Sequence, residues 1–253
     1  MSVFFSSFSN PFVLFWGSHL LVISLLLVLF SWIWLSKSPN VINFQRLLVG
    51  VGLFTHMVIF HSYYLAINQY NIAGFLPFHL CSLSAILVAV ALLTQNKKLS
   101  TIAIYWAPVA ALLAIILPDI GSDQNLLSFR FLEFFTSHIL ILVGSFWLLF
   151  NQEIKLTLRT CLMSYGILVS TLPLIYLINR LTKGNYMYMI NKPSGGQMNF
   201  LPTEPYHFLG LMILVLLVFL GELVVFGWVR KSKGKNANSL NFHQNITKDL
   251  HYS

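Results

Sequence analysis

Seven long apolar runs divide the chain, at about residues 11–35, 47–67, 77–94, 101–117, 129–150, 156–178 and 206–229, and short polar connectors separate them. At 1.5 Å of rise per residue, each predicts a helix able to cross the roughly 30 Å hydrocarbon layer of a bilayer. Only a helix satisfies its own backbone polar groups there. The pattern therefore predicts an all-α, polytopic membrane protein: a seven-transmembrane-helix bundle over 1–229, then a polar, disordered cytoplasmic tail over 230–253. The first run has no charge before it, exceeds a signal-peptide core in length and lacks a small-residue cleavage pattern before Ser36, so it reads as a retained span.

Composition removes the main competing class. Of the 253 residues, 57% are hydrophobic and 9% charged, against roughly 45–50% and about 25% in an ordinary soluble domain. A water-soluble globule is excluded. The formal charge of +8 is shed into connectors and the tail instead of forming a folded basic face, which argues against a nucleic-acid partner. Its distribution predicts orientation instead. Lys37, Arg46, Lys97, Lys98, Lys155, Arg159, Arg230, Lys231, Lys233, Lys235 and Lys248 fall on one side, and Arg130, Arg180, Lys183 and Lys192 on the other. By the positive-inside rule the N-terminus is outside and the C-terminus cytoplasmic, with Asp119 and Asp123 in an outer loop. The sequon-like Asn245-Ile246-Thr247 then lies in the cytosol, where it stays unmodified.

One connector stands out by length. Residues 181–205 carry Tyr, Met and Phe among Gly, Asn and Pro, a composition that predicts a packed lid over the outer face. Ionisable groups inside spans are costly and mark candidate sites. On this topology His56, His61, His79, Cys81 and His138 share the outer half of the membrane, whereas Glu222 stands nearly alone in the inner half. Cys81 is read either as a small packing residue or as an activated nucleophile, since a thiol in the first turns of a helix feels the positive end of the dipole. His79 lies about 200° away around the same helix and makes a poor partner; His138, from another span at similar depth, makes a better one. Cys161 is too far from Cys81 for a disulfide and reads as packing. Arg130 and Glu133, three apart, can neutralise one another, or Arg130 can grip a phosphate headgroup. His56 and His61 are five apart, not the i, i+4 spacing of a helical metal pair. No metal site and no cofactor are expected. His19 and His207 read as interfacial or packing residues.

The stretch Phe78-His79-Leu80-Cys81-Ser82-Leu83-Ser84, together with Gly184-Asn185-Tyr186-Met187-Tyr188-Met189 and Lys192-Pro193, resembles the YwaF-like family of bacterial integral membrane proteins. A related eukaryotic branch is similar to a cysteine-centred transmembrane acyltransferase acting on ether lysophospholipids. The resemblance implies Cys81 as nucleophile within His-x-Cys-Ser and, by position, His138 as its histidine. A Gly-Pro-Trp-Pro-like run expected before the last span is here Leu201-Pro202-Thr203-Glu204-Pro205-Tyr206, without the tryptophan.

The resulting expectation is a thiol-dependent lipid acyltransferase or acyl hydrolase in a bacterial cell membrane, acting on a phospholipid or lysophospholipid. Cys81 and His138 are catalytic, and His79, His56, His61, Arg130, Asn185, Tyr186 and Tyr188 contact substrate. The alternative is a transporter or ligand-binding membrane protein with a His-lined cavity.

Overall fold

The computed structural model describes the backbone of residues 11–118, 128–192 and 199–249, and the side chains of 22–118, 128–192 and 199–229. Asp119, Asp123, Pro193 and the side chains of His19, the sequon and the basic tail lie outside the described residues. Seven α-helices are present among them: α1 Pro11–Leu35, α2 Pro39–Ala66, α3 Leu80–Thr94, α4 Lys97–Ile116, α5 Phe129–Asn151, α6 Leu158–Thr182 and α7 His207–Asp249, with a single 3-10 turn at Tyr186–Tyr188. Five of them, α2, α4, α5, α6 and α7 over His207–Val229, are long and apolar enough to cross a membrane. Helix α3 has 15 residues, about 22 Å at 1.5 Å per residue, so it is shorter than the span expected from 77–94. The chain over 67–79 forms turns and bends, and His79, in extended backbone, is the N-cap at which the helix begins. Helix α7 continues to Asp249, so regular backbone extends into the segment read from sequence as a polar tail.

The ends of the helices follow from their sequences. Asn96 accepts hydrogen bonds from the backbone N–H groups of Lys98 and Leu99 at the start of α4, Ser128 accepts from Phe131 at the start of α5, and Thr157 and Thr160 form a reciprocal capping box on α6. Gln95 closes α3 in the left-handed conformation. Arg46 of α2 donates from its guanidinium to the Leu92 and Leu93 carbonyls at 2.7 and 3.2 Å, placing a cation where the helix dipole is negative.

Helices α4 and α5 form the centre. Ala103, Ala107, Ala110 and Ala111 keep α4 slim, and all are buried; small residues let membrane helices approach closely. Gly144 does the same for α5, where an added Cβ would lie 2.5 Å from Val88 and 3.3 Å from Val49. Helix α3 packs on α2, α4 and α5, α5 packs also on α2 and α4, α1 lies on α5, and α6 and α7 pack against α4 and each other. Exposed Leu, Ile, Val and Trp side chains cover the outward faces of α2, α6 and α7, as lipid contact requires. The connections 67–79 and 183–192, with 199–206, lie at one end, called here the loop end, where Tyr186 and Met187 bond to Ile72, Leu76 and His79.

Candidate functional site

At the loop end the helices enclose a cavity of ≈ 710 Å³, within the range of small-molecule sites, about 300–1,000 Å³. Cys81 from the first turn of α3 and His138 from α5 both line it, as do His56 and His61 of α2, His79, Arg130, Asn185 and Tyr188. Residues from four segments far apart in the chain thus converge. Tyr186 is the exception among the candidates, standing behind the wall, fully buried.

His138 has a defined orientation. Its Nδ1–H donates to the Phe134 carbonyl one turn earlier, at 2.6 Å, which leaves Nε2 with the lone pair. The Cys81 thiol is half-buried and donates to the Ala110 carbonyl of α4 at 3.5 Å. The two groups share the cavity, with each held by its own carbonyl. His79 is the N-cap of α3 but makes no side-chain capping bond. The N–H groups of Leu80, Cys81 and Ser82 therefore belong to the first turn, which has no intrahelical acceptor.

The cap over this cavity is tightly pinned. Asn179, buried near the end of α6, accepts from the Tyr186 N–H at 2.6 Å and donates to the Tyr186 carbonyl at 3.0 Å. Tyr186 hydroxyl donates to the Ile72 carbonyl and accepts from the Leu76 N–H at 3.1 Å. Burial pushes its phenol above the usual tyrosine value, opposed by the bond from Leu76. Met187 and Tyr188 have φ of 55° and 53°, a strained region for residues with a Cβ, costing about 1–3 kcal/mol each. Around them, Met187 N–H donates to His79 Nδ1 at 3.4 Å and His207 Nε2 donates to the Tyr188 carbonyl at 2.9 Å. Asn185 Oδ1 accepts from Ile190 and Asn191 N–H. The Tyr186 side chain is thus a strut joining the 67–79 and 183–192 segments, not a lining group.

Around the rim, Arg130 bridges Glu133 at 2.8 Å and lies over the Phe134 ring at 5.6 Å. His61 Nδ1 is hydrogen-bonded to the Tyr70 hydroxyl at 2.9 Å. Among the described residues no three His, Cys, Asp or Glu side chains group as a metal ion would require. Cys161 is fully buried toward the opposite end. Glu222 is 8% exposed, and its carboxyl oxygens have no hydrogen-bond partner among the described residues.

The model of the TMEM164 family matches residues 4–221. The chain belongs to the TMEM164 family. No curated protein and no solved structure matches it. Every lining residue of the cavity lies within the stretch that matches TMEM164, whereas Glu222 lies just beyond it. Membership and the five long apolar helices together make this an integral membrane protein.

Several parts of the site in this TMEM164 member escape a sequence reading. Asn179 follows directly on the 156–178 run, where a polar residue at a span's end is unremarkable, and only the helix continuing to Thr182 brings it inside. Tyr70 and the apolar wall of Phe208, Leu211, Met212 and Val215 carried no signal, since an aromatic in a connector and apolar residues in a span are the expected background.

Proposed function

We propose that this member of the TMEM164 family is a lipid acyltransferase or acyl hydrolase with Cys81 as nucleophile and His138 as general base and acid. The observation that carries this reading is the pair itself: a thiol at a helix N-terminus and an imidazole of fixed tautomer, from different helices, lining one cavity. Cys81 Sγ attacks the carbonyl carbon of an acyl ester while its proton passes to His138 Nε2. The tetrahedral oxyanion is met by N–H groups of the first turn of α3. Collapse breaks the ester C–O bond, and His138 returns the proton to the departing alkoxide, leaving an acyl thioester on Cys81. A lysophospholipid hydroxyl or water then attacks the thioester, giving its proton to His138, and the thiolate leaves and is reprotonated. The Cys81 thiol turns from Ala110 toward His138 for the first step. Asn185 and Tyr188, with His56, His61, His79 and Arg130, surround the lipid.

The same reading places the loop end outside and the C-terminus in the cytosol, with seven crossings of a cell membrane, on the strength of the basic-residue distribution. It keeps the YwaF-like resemblance and a bacterial source. The cluster of histidines in one cavity supports a second reading, a transporter or ligand-binding protein. Labelling of the purified protein with an acyl-mimicking thiol probe separates the two. Modification of Cys81 that is lost in His138→Ala and on denaturation supports the enzyme. An inert Cys81 in folded protein removes it, and ligand flux without turnover favours transport.

A further inference from the structure

Helices α5 and α7 both line the cavity, yet among the described residues they barely touch. They meet at Phe146 and Phe226, whose ring centroids are 6.0 Å apart. Phe146 is eight residues below His138, about 12 Å along the helix axis, so the meeting point lies well beneath the site. Nearer the loop end each helix turns one stripe to the cavity. On α5 it runs Arg130, Glu133, Phe134, Ser137, His138 and Ile141; on α7 it is Phe208, Leu211, Met212 and Val215. Spacings of three and four put each set on a single face. Two helices that line one space without packing on each other bound a cleft. This one is closed at its deep end by the Phe146 and Phe226 rings. Its flanks face lipid: Leu132 is 50% exposed, Ile213 51% and Leu209 62%.

We propose that an amphiphile with an acidic headgroup and one acyl chain enters the cavity sideways from the bilayer through the cleft between α5 and α7. It lies with its head toward Arg130 and Lys192 and its chain along the α7 stripe. The occupant follows from how the two walls differ. The α7 wall is wholly apolar, and the floor is made by Ile141, Leu168 and Val215, surroundings that accept a hydrocarbon chain and penalise any unpaired polar group. Among the described lining residues the Arg and Lys cations are Arg130 and Lys192, at the loop end of the cavity. Arg130 is held by Glu133 at 2.8 Å, which also lines the cavity and offsets part of its charge, and the Lys192 Nζ is anchored on the Leu201 carbonyl at 2.8 Å, so the remaining guanidinium donors and the ammonium are held in place for an anion. Arg130 is eight residues above His138, about 12 Å along the axis, and Ile141 about 4.5 Å below it. A single-chain lipid laid along this axis presents its head, its ester region and its chain in that order, with the ester beside Cys81 and His138. The orientation rests on the catalytic reading; the entrance does not.

The test uses full-length Cys81→Ala protein in nanodiscs, which binds without turnover. Two photoreactive probes share one chain bearing a terminal diazirine: a lysophosphatidic acid and a fatty acid. Crosslinks are expected at Leu168 and in the Phe208 to Val215 stripe. Leu211→Trp, which fills the cleft, should cut labelling at least tenfold, whereas Leu209→Trp and Ile213→Trp on the outward face of α7 leave it unchanged. Whichever unlabelled compound competes at the lower concentration identifies the head as phosphate or carboxylate, and Arg130→Gln should weaken that compound. If Leu211→Trp does not purify as a monodisperse species, Val215→Phe is read instead, with an expected shift of binding toward shorter chains. Undiminished labelling in Leu211→Trp, equal loss in Leu209→Trp, or competition by neither compound overturns the proposal. Labelling that follows this pattern while wild-type protein shows no acyl transfer removes the catalytic reading and leaves the entrance standing.

Discussion

Position 138 illustrates how one hydrogen bond sets the chemistry available to a side chain. The Phe134 carbonyl takes the Nδ1 proton, so in the proposed mechanism the base is Nε2, and a replacement must preserve both contacts to work. His138→Ala is expected to lower acyl turnover by about 10²–10⁴-fold, the usual contribution of a positioned general base, and Cys81→Ala to remove thioester formation altogether. Intact-protein mass after exposure to an acyl donor reads both. Cys161→Ala serves as the contrast: buried away from the cavity, it should leave acylation unchanged. Tyr186→Phe tests the strut. It leaves the Ile72 carbonyl and Leu76 N–H without their shared partner, at about 1–3 kcal/mol. A lower melting temperature in detergent, with labelling at Cys81 retained, is the expected result. Loss of labelling at unchanged stability would instead make the phenol part of the chemistry. Cys81 and His138 were both legible as candidates because a thiol and an imidazole are rare at membrane depth. Tyr186 reads as a substrate contact because it lies in the outer loop expected to cap the pocket, and its burial shows why position in a loop is not enough: a tyrosine offers the same hydroxyl to a ligand as to a neighbouring loop.

Among the elements, the helices were readable and their lengths less so. Apolar runs report where a helix passes through lipid, but they do not distinguish helix from an irregular apolar cover. This is why 77–79 read as part of a span although it lies before α3. Helix contacts depend on single small residues that a hydropathy pattern passes over. Gly144 is such a point: with Val88 at 2.5 Å from an added Cβ, Gly144→Ala requires α3 and α5 to shift. A cost of about 1–3 kcal/mol is expected, as for other overpacked cores. Gly166 on α6 meets nothing within 4 Å, and Gly166→Ala should be neutral or stabilising by up to about 1 kcal/mol through helix propensity. Thermal unfolding of the two variants side by side checks the contrast; equal effects would mean that α3 and α5 do not pack through this glycine.

For the molecule as a whole, the buried His and Glu side chains among the described residues are divided between His138 and His207 toward the loop end and Glu222 toward the opposite end. Glu222 lies outside the stretch shared with the family and has no hydrogen-bond partner among the described residues. Glu222→Leu should therefore raise stability by about 1–3 kcal/mol, the penalty of an unsatisfied buried polar group. A fall in melting temperature would reveal a partner for the carboxyl. The sequence by itself determined that this chain is a helical membrane protein, because long apolar runs in a chain so poor in charge leave a bilayer as the only solvent in which it folds. It also determined which residues were costly enough at depth to be candidates. Tertiary structure alone decided which of them meet. Rotation of each helix about its axis is set by interdigitating side chains such as Val88 over Gly144, and the cap's path by Asn179 and Tyr186. Those long-range contacts leave no periodic trace in the residues that make them, so only packing could bring Cys81 and His138 to one cavity and leave α5 and α7 apart beside it.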